Sequence, residues 1–213
     1  MLVLALDTAT PAVTVALHDG GRLLGSVSTV DAMRHGELLV PAIAGVIADA
    51  GVSMRDVTDV AVGVGPGPYT GLRVGVVTGR TLAASLGACL HAVCTLDVIA
   101  AATSVEGPFA VATDARRKEV YWALYGADRR RVDGPGVARP AELAAQLARG
   151  MPVVGRGAQA YAEVLPTTQG PLDPDAGVLA ALVARGEADE VAAEPMYLRR
   201  PDATPPGERK QVS

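Results

Sequence analysis

The chain has 213 residues, 49% of them hydrophobic and 20% charged, and a formal net charge of −4. That composition supplies enough apolar residues for one sizeable core or two small lobes and excludes a disordered polymer. It also argues against this chain alone gripping a nucleic-acid backbone, which takes a concentrated basic surface.

The opening run Met1 to Asp7 is apolar, short and without a preceding basic segment. It reads as a buried strand rather than a signal peptide or membrane span, and the expected location is the cytoplasm. Residues 12–17 alternate, with Val13, Val15 and Leu17 on one face, and the Asp19-Gly20-Gly21 turn leads into a strand over 22–28, giving a β-meander. From 34 to 50, Leu38, Leu39, Ala42, Ile43, Val46 and Ile47 recur at helical spacing up to a stop at Gly51. Pro41 should kink that helix or open a new first turn. A buried strand over 60–64 then enters a Gly-Pro loop, and 72–86 predicts a second helix closed by Gly87.

On this second helix Gly71, Gly75, Gly79 and Ala83 recur every four residues, leaving one face nearly bare. An interior glycine costs a helix about 1 kcal/mol relative to alanine, so the pattern implies something packed closely there. The neighbour is either the chain's own sheet or a helix of another subunit. Further along come a strand at 90–94, a helix at 96–103, strands at 109–114 and 119–125, and an irregular excursion over 128–139. A helix at 140–149, a short strand at 152–154 and an amphipathic helix at 176–185 follow. Residues 201–213, with three prolines and no core-forming run, predict a flexible tail. Cys89 and Cys94 fall on one apparent buried strand without zinc or C-x-x-C spacing and read as small core residues.

The loop Gly63-Val64-Gly65-Pro66-Gly67-Pro68-Tyr69-Thr70-Gly71-Leu72-Arg73 invites comparison with phosphate cradles at helix N-termini. A P-loop requires Lys and then Ser or Thr at the end of its glycine spacing, where this chain has Leu72 and Arg73. The dinucleotide pattern G-x-G-x-x-G meets Thr70 at its third glycine, and Pro66 and Pro68 remove two N–H donors. A tight strand-to-helix connection remains.

Residues 4–17 lie over residues 111–124 without a gap: Asp7 meets Asp114, Val13 meets Val120, and Ala16-Leu17 meets Ala123-Leu124. The echo implies a duplicated hairpin heading each of two lobes. It is similar to the actin, hexokinase and acetate-kinase superfamily, and implies an α/β, two-lobed fold of that kind (ASKHA), built from β-meander-plus-helix lobes with the second lobe reduced. By that likeness Asp7 and Asp114 would face an inter-lobe cleft. The expected division is an N-terminal lobe over 1–104, a smaller lobe over 105–190, a closing segment at 191–200 and the tail.

Four motifs carry a more specific resemblance. They are Leu4-Ala5-Leu6-Asp7-Thr8-Ala9-Thr10, the stretch from Gly65 to Arg73, Asp114-Ala115-Arg116 followed by Glu119-Val120-Tyr121, and Pro195-Met196-Tyr197-Leu198-Arg199. In this order they resemble the bacterial TsaB family, also called YeaZ. The resemblance implies a non-catalytic partner of its paralogue TsaD in forming N6-threonylcarbamoyladenosine next to the anticodon of tRNAs reading A-starting codons. It further implies a heterodimer with TsaD, joined by the ATPase TsaE, a homodimer when alone, contact with tRNA only through the complex, no membrane and no cofactor.

The residues themselves bear on chemistry. TsaD holds a metal with H-x-x-x-H, whereas this chain reads His35-Gly36-Glu37-Leu38-Leu39, and His18 and His91 belong to distant strands. No G-x-S-x-G or H-E-x-x-H occurs, which counts against the M22-like peptidase label. No catalytic or metal residue is therefore expected. The alternatives are a metal-dependent glycopeptidase-like or a small-molecule kinase-like enzyme of this fold, the latter using Asp7 and Asp114 as cleft residues.

As a binding protein, the chain is expected to meet TsaD through the helices at 34–50 and 72–86. Leu38, Leu39, Ile43, Val74 and Val77 would be buried there, the bare Gly71, Gly75 and Gly79 face would permit close approach, and Arg73 would lie at the rim. On that expectation, replacing Gly75 and Gly79 by Leu breaks pairing and leaves the monomer folded. Arg116, Arg117 and Lys118, with Arg129 to Arg131, read as a solvated face, with phosphate contacts open only within a complex.

Overall fold

A computed structural model describes residues 1–199 of the chain; the tail expected at 201–213 lies outside them. The first sheet contains β1 (Val3–Asp7), β2 (Ala12–His18), β3 (Leu23–Val30), β4 (Asp59–Gly63) and β5 (Cys89–Val93), in the order β3-β2-β1-β4-β5. β1 pairs antiparallel with β2 and parallel with β4, so the meander continues into a parallel half. The second sheet has the order β8-β7-β6-β9, from β6 (Phe109–Asp114), β7 (Val120–Tyr125), β8 (Arg131–Ala138) and β9 (Val153–Val154). The helices are α1 (His35–Asp49), α2 (Tyr69–Leu86), α3 (Thr95–Ala102), α4 (Pro140–Gln146), α5 (Arg156–Ala160) and α6 (Ala176–Ala184).

The period of two along β1 explains why its whole run is apolar. Leu4 and Leu6 point into a core shared with Leu39, Ile43 and Val76 of α1 and α2. Val3 and Ala5 point the other way, against Leu179, Ala180 and Val183 of α6. A strand covered on both faces shows no alternation of polarity, and β1 and β4 are both buried at every position. A second pair of clusters covers the two faces of the second sheet, one around Phe109 and Tyr125 with α3, the other around Trp122 and Leu143 with α4 and α5.

Several details correct the sequence reading. The segment drawn as an irregular excursion contains β8, which pairs with β7 through a shifted register. Its Gly134-Pro135-Gly136 interrupts any alternation, and Gly136 is required there because a Cβ would lie 2.8 Å from the Trp122 ring. α6, expected in the second lobe, packs on β1 and β2 of the first sheet. α1 runs through Pro41, which sits on the exposed side, where water can satisfy the carbonyl left without a donor. Cys89 is exposed rather than buried, and only Cys94 belongs to a core.

After α6 the chain returns as a strap across the first sheet. Glu190 bridges Val93, the Val191 N–H donates to the Ala92 carbonyl, and the Met196 N–H donates to the Val64 carbonyl. His91 of β5 holds the start of this strap, with Nδ1 at 2.7 Å from Glu190 Oε1 and Nε2 at 2.9 Å from Asp59 Oδ1. Burial by itself lowers the imidazole pKa, but the two carboxylates outweigh it and raise the group above its ordinary value.

Candidate functional site

The two duplicated hairpins place their Asp-bearing turns on either side of a cavity of about 670 Å³. From the first lobe the walls are the turn after β1 (Thr8, Thr10, Pro11), Ala32 and Met33 before α1 with His35 and Gly36 at its start, and the start of α2 (Gly67 to Gly71). From the second lobe and the strap come Asp114 to Arg117, Tyr121, Tyr197 and Arg199. Neither α1 nor α2 has a side-chain cap at its N-terminus, and both begin at this cavity.

Asp7 and Asp114, the two carboxylates expected to face a cleft, have separate fates. Asp114 lines the cavity, its Oδ1 accepting the Arg116 N–H at 3.0 Å. Asp7 does not line it. Its carboxylate is completely buried and accepts the Ala9 N–H at 2.7 Å and the Thr95 hydroxyl at 2.7 Å. Gly63 closes the other side, since an added Cβ there would run into Asp7 Oδ2. Desolvation pushes the Asp7 carboxyl up to about 6; the two hydrogen bonds resist that rise and nearby Asp173 adds to it. Asp7 thus joins β1, β4 and α3, and the pair cannot converge on one ion, because a divalent cation of the Mg²⁺ or Ca²⁺ kind needs several accessible oxygen ligands.

The Gly-Pro loop is likewise turned inward. The Gly65 N–H donates to Thr95 Oγ1 at 3.0 Å, and its carbonyl accepts the Thr95 N–H at 2.8 Å. Gly65 has φ +101, and a Cβ at Gly67 would meet the Ala9 carbonyl. These glycines let the loop lie against the first turn, and its backbone donors at 64 and 65 are spent inside the protein. His35 is buried, with Nε2 donating to the Thr10 carbonyl at 2.8 Å, which ties α1 to the same turn.

Opposite, Arg116, Arg117 and Lys118 all have positive φ (59°, 52° and 62°), a left-handed run costing roughly 1–2 kcal/mol per residue. Arg199 donates to the Ala115 carbonyl at 3.0 Å and pairs with Glu119, fastening the strap to this turn. Tyr197 stacks on Tyr69 with centroids 5.1 Å apart, and Arg73 lies 5.2 Å over the Tyr69 ring. In the sequence Tyr121, Tyr197 and Arg199 stand only inside motifs; the fold brings them to the cavity from distant segments. Of the arginines read as a solvated face, Arg131 is half-buried and pairs with Asp97, while Arg129 stays exposed and donates to the Thr103 carbonyl.

The expected partner face also needs correction. Leu39 and Ile43 are buried in the chain's own core, and so are Gly71, Gly75 and Gly79. A Cβ would meet the Thr8 carbonyl at Gly71, the Thr8 hydroxyl at Gly75, and Val62 Cβ at 3.2 Å at Gly79. The bare face of α2 is bare so that it can lie on β1 and β4, and Leu at Gly75 would not leave the monomer folded. Leu38 and Val74 are half-buried, and Arg73 and Val77 are exposed. Val40, which the sequence reading passed over, is 62% exposed, and Val77 is 54% exposed.

A family model described as TsaD, tRNA N6-adenosine threonylcarbamoyltransferase, matches residues 22–186. An uncharacterised protein of Mycobacterium tuberculosis is 43% identical over 95% of this chain and 94% of its own. The tRNA threonylcarbamoyladenosine biosynthesis protein TsaB of Escherichia coli is 33% identical, over 92% of this chain and 84% of its own. The solved structure of YeaZ from Pseudomonas aeruginosa superposes with a TM-score of 0.79 at 32% identity, covering 92% of this chain and 99% of that one. With the motifs, the two sheets and the paired hairpins in place, the chain belongs to the TsaB (YeaZ) family and has the α/β fold of the YeaZ structure.

Proposed function

We propose that this chain is the non-catalytic partner of a TsaD protein in forming N6-threonylcarbamoyladenosine on tRNA, and that it pairs through the outward side of α1 and α2. The observation that carries the reading is the apolar exposure left on two packed helices after their inner faces are filled: Val40 of α1 and Val77 of α2 stand in water, and Val74 of α2 is half-covered. Exposed large apolar side chains grouped on one surface mark interaction sites, and Arg73 supplies a polar rim. The match of a TsaD family model to most of the chain supports a partner of the same fold, so that like surfaces meet. A homodimer through the same face is then the state of the isolated protein, and TsaE joins the heterodimer.

The sealed position of Asp7 supports the non-catalytic part of this reading, because it withdraws one of the two carboxylates a kinase-like reaction would use. Binding at α1 and α2 acts by favouring a competent arrangement of TsaD. The test is co-purification with TsaD, followed by threonylcarbamoyl transfer to tRNA with and without this chain. The expected result is a stable complex and transfer that depends on this chain. Transfer by this chain without TsaD, or full activity of TsaD without it, would overturn the proposal.

A further inference from the structure

His91 of β5 sits where only its charged form satisfies both neighbours. Its Nδ1 lies 2.7 Å from Glu190 Oε1 and its Nε2 lies 2.9 Å from Asp59 Oδ1. Ionised carboxylates only accept hydrogen bonds, so both contacts are made by an imidazolium, which carries a proton on each ring nitrogen. A neutral ring has one N–H and turns a lone pair towards the other carboxylate. The two carboxylates are not equally free to leave. The Asp59 side chain, on β4, is 10% exposed, and its Oδ2 accepts the Thr58 hydroxyl at 2.6 Å. The Glu190 side chain, on the strap, is 50% exposed, so water solvates it once the contact opens. Asp59 and Glu190 are the charged groups acting on the ring. Nearby, Cys89 of β5 is exposed, Asp189 of the strap acts on Asp97 of α3, and Arg185 pairs with Glu187. His91 shares a face of β5 with Val93, on the side of α6, and α6 carries no charged residue.

We propose that His91 is a pH-sensitive latch for the strap: protonated, it fastens Glu190 to β5, and on losing its proton it keeps Asp59 and releases Glu190. The start of the strap covers the outer edge of β5, where Glu190 bridges Val93 and the Val191 N–H donates to the Ala92 carbonyl. Release uncovers that edge of the first sheet, a row of backbone groups that folded proteins otherwise shield. Further along, the Met196 N–H on the Val64 carbonyl, the stack of Tyr197 on Tyr69 and the pairing of Arg199 with Glu119 hold the strap without His91. Opening is therefore confined to the segment before Met196. Against the lowering effect of burial, the two carboxylates hold the imidazole pKa above its ordinary 6.5. The latch is whole below that ordinary value and is lost as pH rises through the higher value in the fold. It is independent of the surface proposed for TsaD.

The test is amide hydrogen exchange of the full chain from about pH 6 to about pH 9, with protection corrected for the intrinsic rate at each pH, beside nitrogen chemical shifts of the His91 ring. Val191 should lose at least about threefold in protection as the ring shifts report loss of the proton, while Met196 keeps its protection. Glu190→Gln should abolish the pH dependence at Val191, because a carboxamide can accept from a ring N–H or donate to a bare ring nitrogen. His91→Leu should lower Val191 protection at every pH. If that variant fails to fold, Glu190→Gln and the ring shifts still decide. Val191 protection that stays flat while His91 titrates, an unaltered pH dependence in Glu190→Gln, a neutral His91 ring at about pH 6, or an equal loss at Met196 would each overturn the inference.

Discussion

The two sides of α2 are built from one stretch of sequence and do opposite work. Inward, Gly71, Gly75 and Gly79 let the helix axis come close to β1 and β4, with the Thr8 hydroxyl donating to the Gly71 carbonyl at 2.7 Å. Outward, Tyr69, Arg73 and Val77 stand exposed, as does Val40 of α1. A small-residue stripe therefore marks where the chain touches itself, and the proposed partner surface lies on residues whose apolar character has no use inside the monomer. The cost of glycine in the helix is offset by the close approach it permits, which larger residues would forbid.

Substitutions can break that contrast from either side. The largest effect is expected for Gly71→Ala, whose Cβ would meet a backbone carbonyl that cannot rotate away. A loss of about 3 kcal/mol or more, seen as a drop of about 6–12 °C in Tm, is predicted from the cost of overpacking and the size of the chain. Asp7→Asn should come next. Because the Asp7 carboxyl titrates at about 6 in the fold and near 3.8 when unfolded, the native state holds its proton more tightly, so stability is lost as pH rises between these values. Asn mimics the protonated acid and escapes that loss. The variant should gain on the wild type by up to about 3 kcal/mol between pH 4 and pH 7 in denaturant titrations, and a pH-independent difference would contradict the assigned burial. Gly79→Ala should be milder, about 1 kcal/mol in either direction, because its neighbour Val62 is a side chain at 3.2 Å that needs to give only a few tenths of an ångström. Val77→Asp should change folding stability by less than about 0.5 kcal/mol, as exposed positions do.

Much of this fold was legible. The meander, α1, α2, β6 and the echo of two hairpins follow from periods of two and about 3.6, and from glycines and aspartates at turns. What escaped depended on distant partners. β8 has no alternation of its own and exists because β7 pairs with it, and α6 is apolar on nearly all sides, so nothing local says that it returns to the first sheet. The echo equated Asp7 with Asp114, and both do end a strand before a turn. Only Asp7 meets Thr95 and Gly63, which lie far along the chain, and those contacts decide that one aspartate is buried and the other lines a cavity. The same limit applied to the glycine stripe: its spacing said that something lay close, and the identity of that neighbour required the packed sheet.

The most direct measurement is the affinity of TsaD for Val77→Asp relative to the wild-type chain, with melting temperatures recorded for both. The account predicts unchanged melting and binding weakened at least about tenfold, the size expected for a charge placed in a desolvated interface core. Equal affinity of the two chains, with both folded, would contradict the assignment of the partner surface to the outward side of α1 and α2.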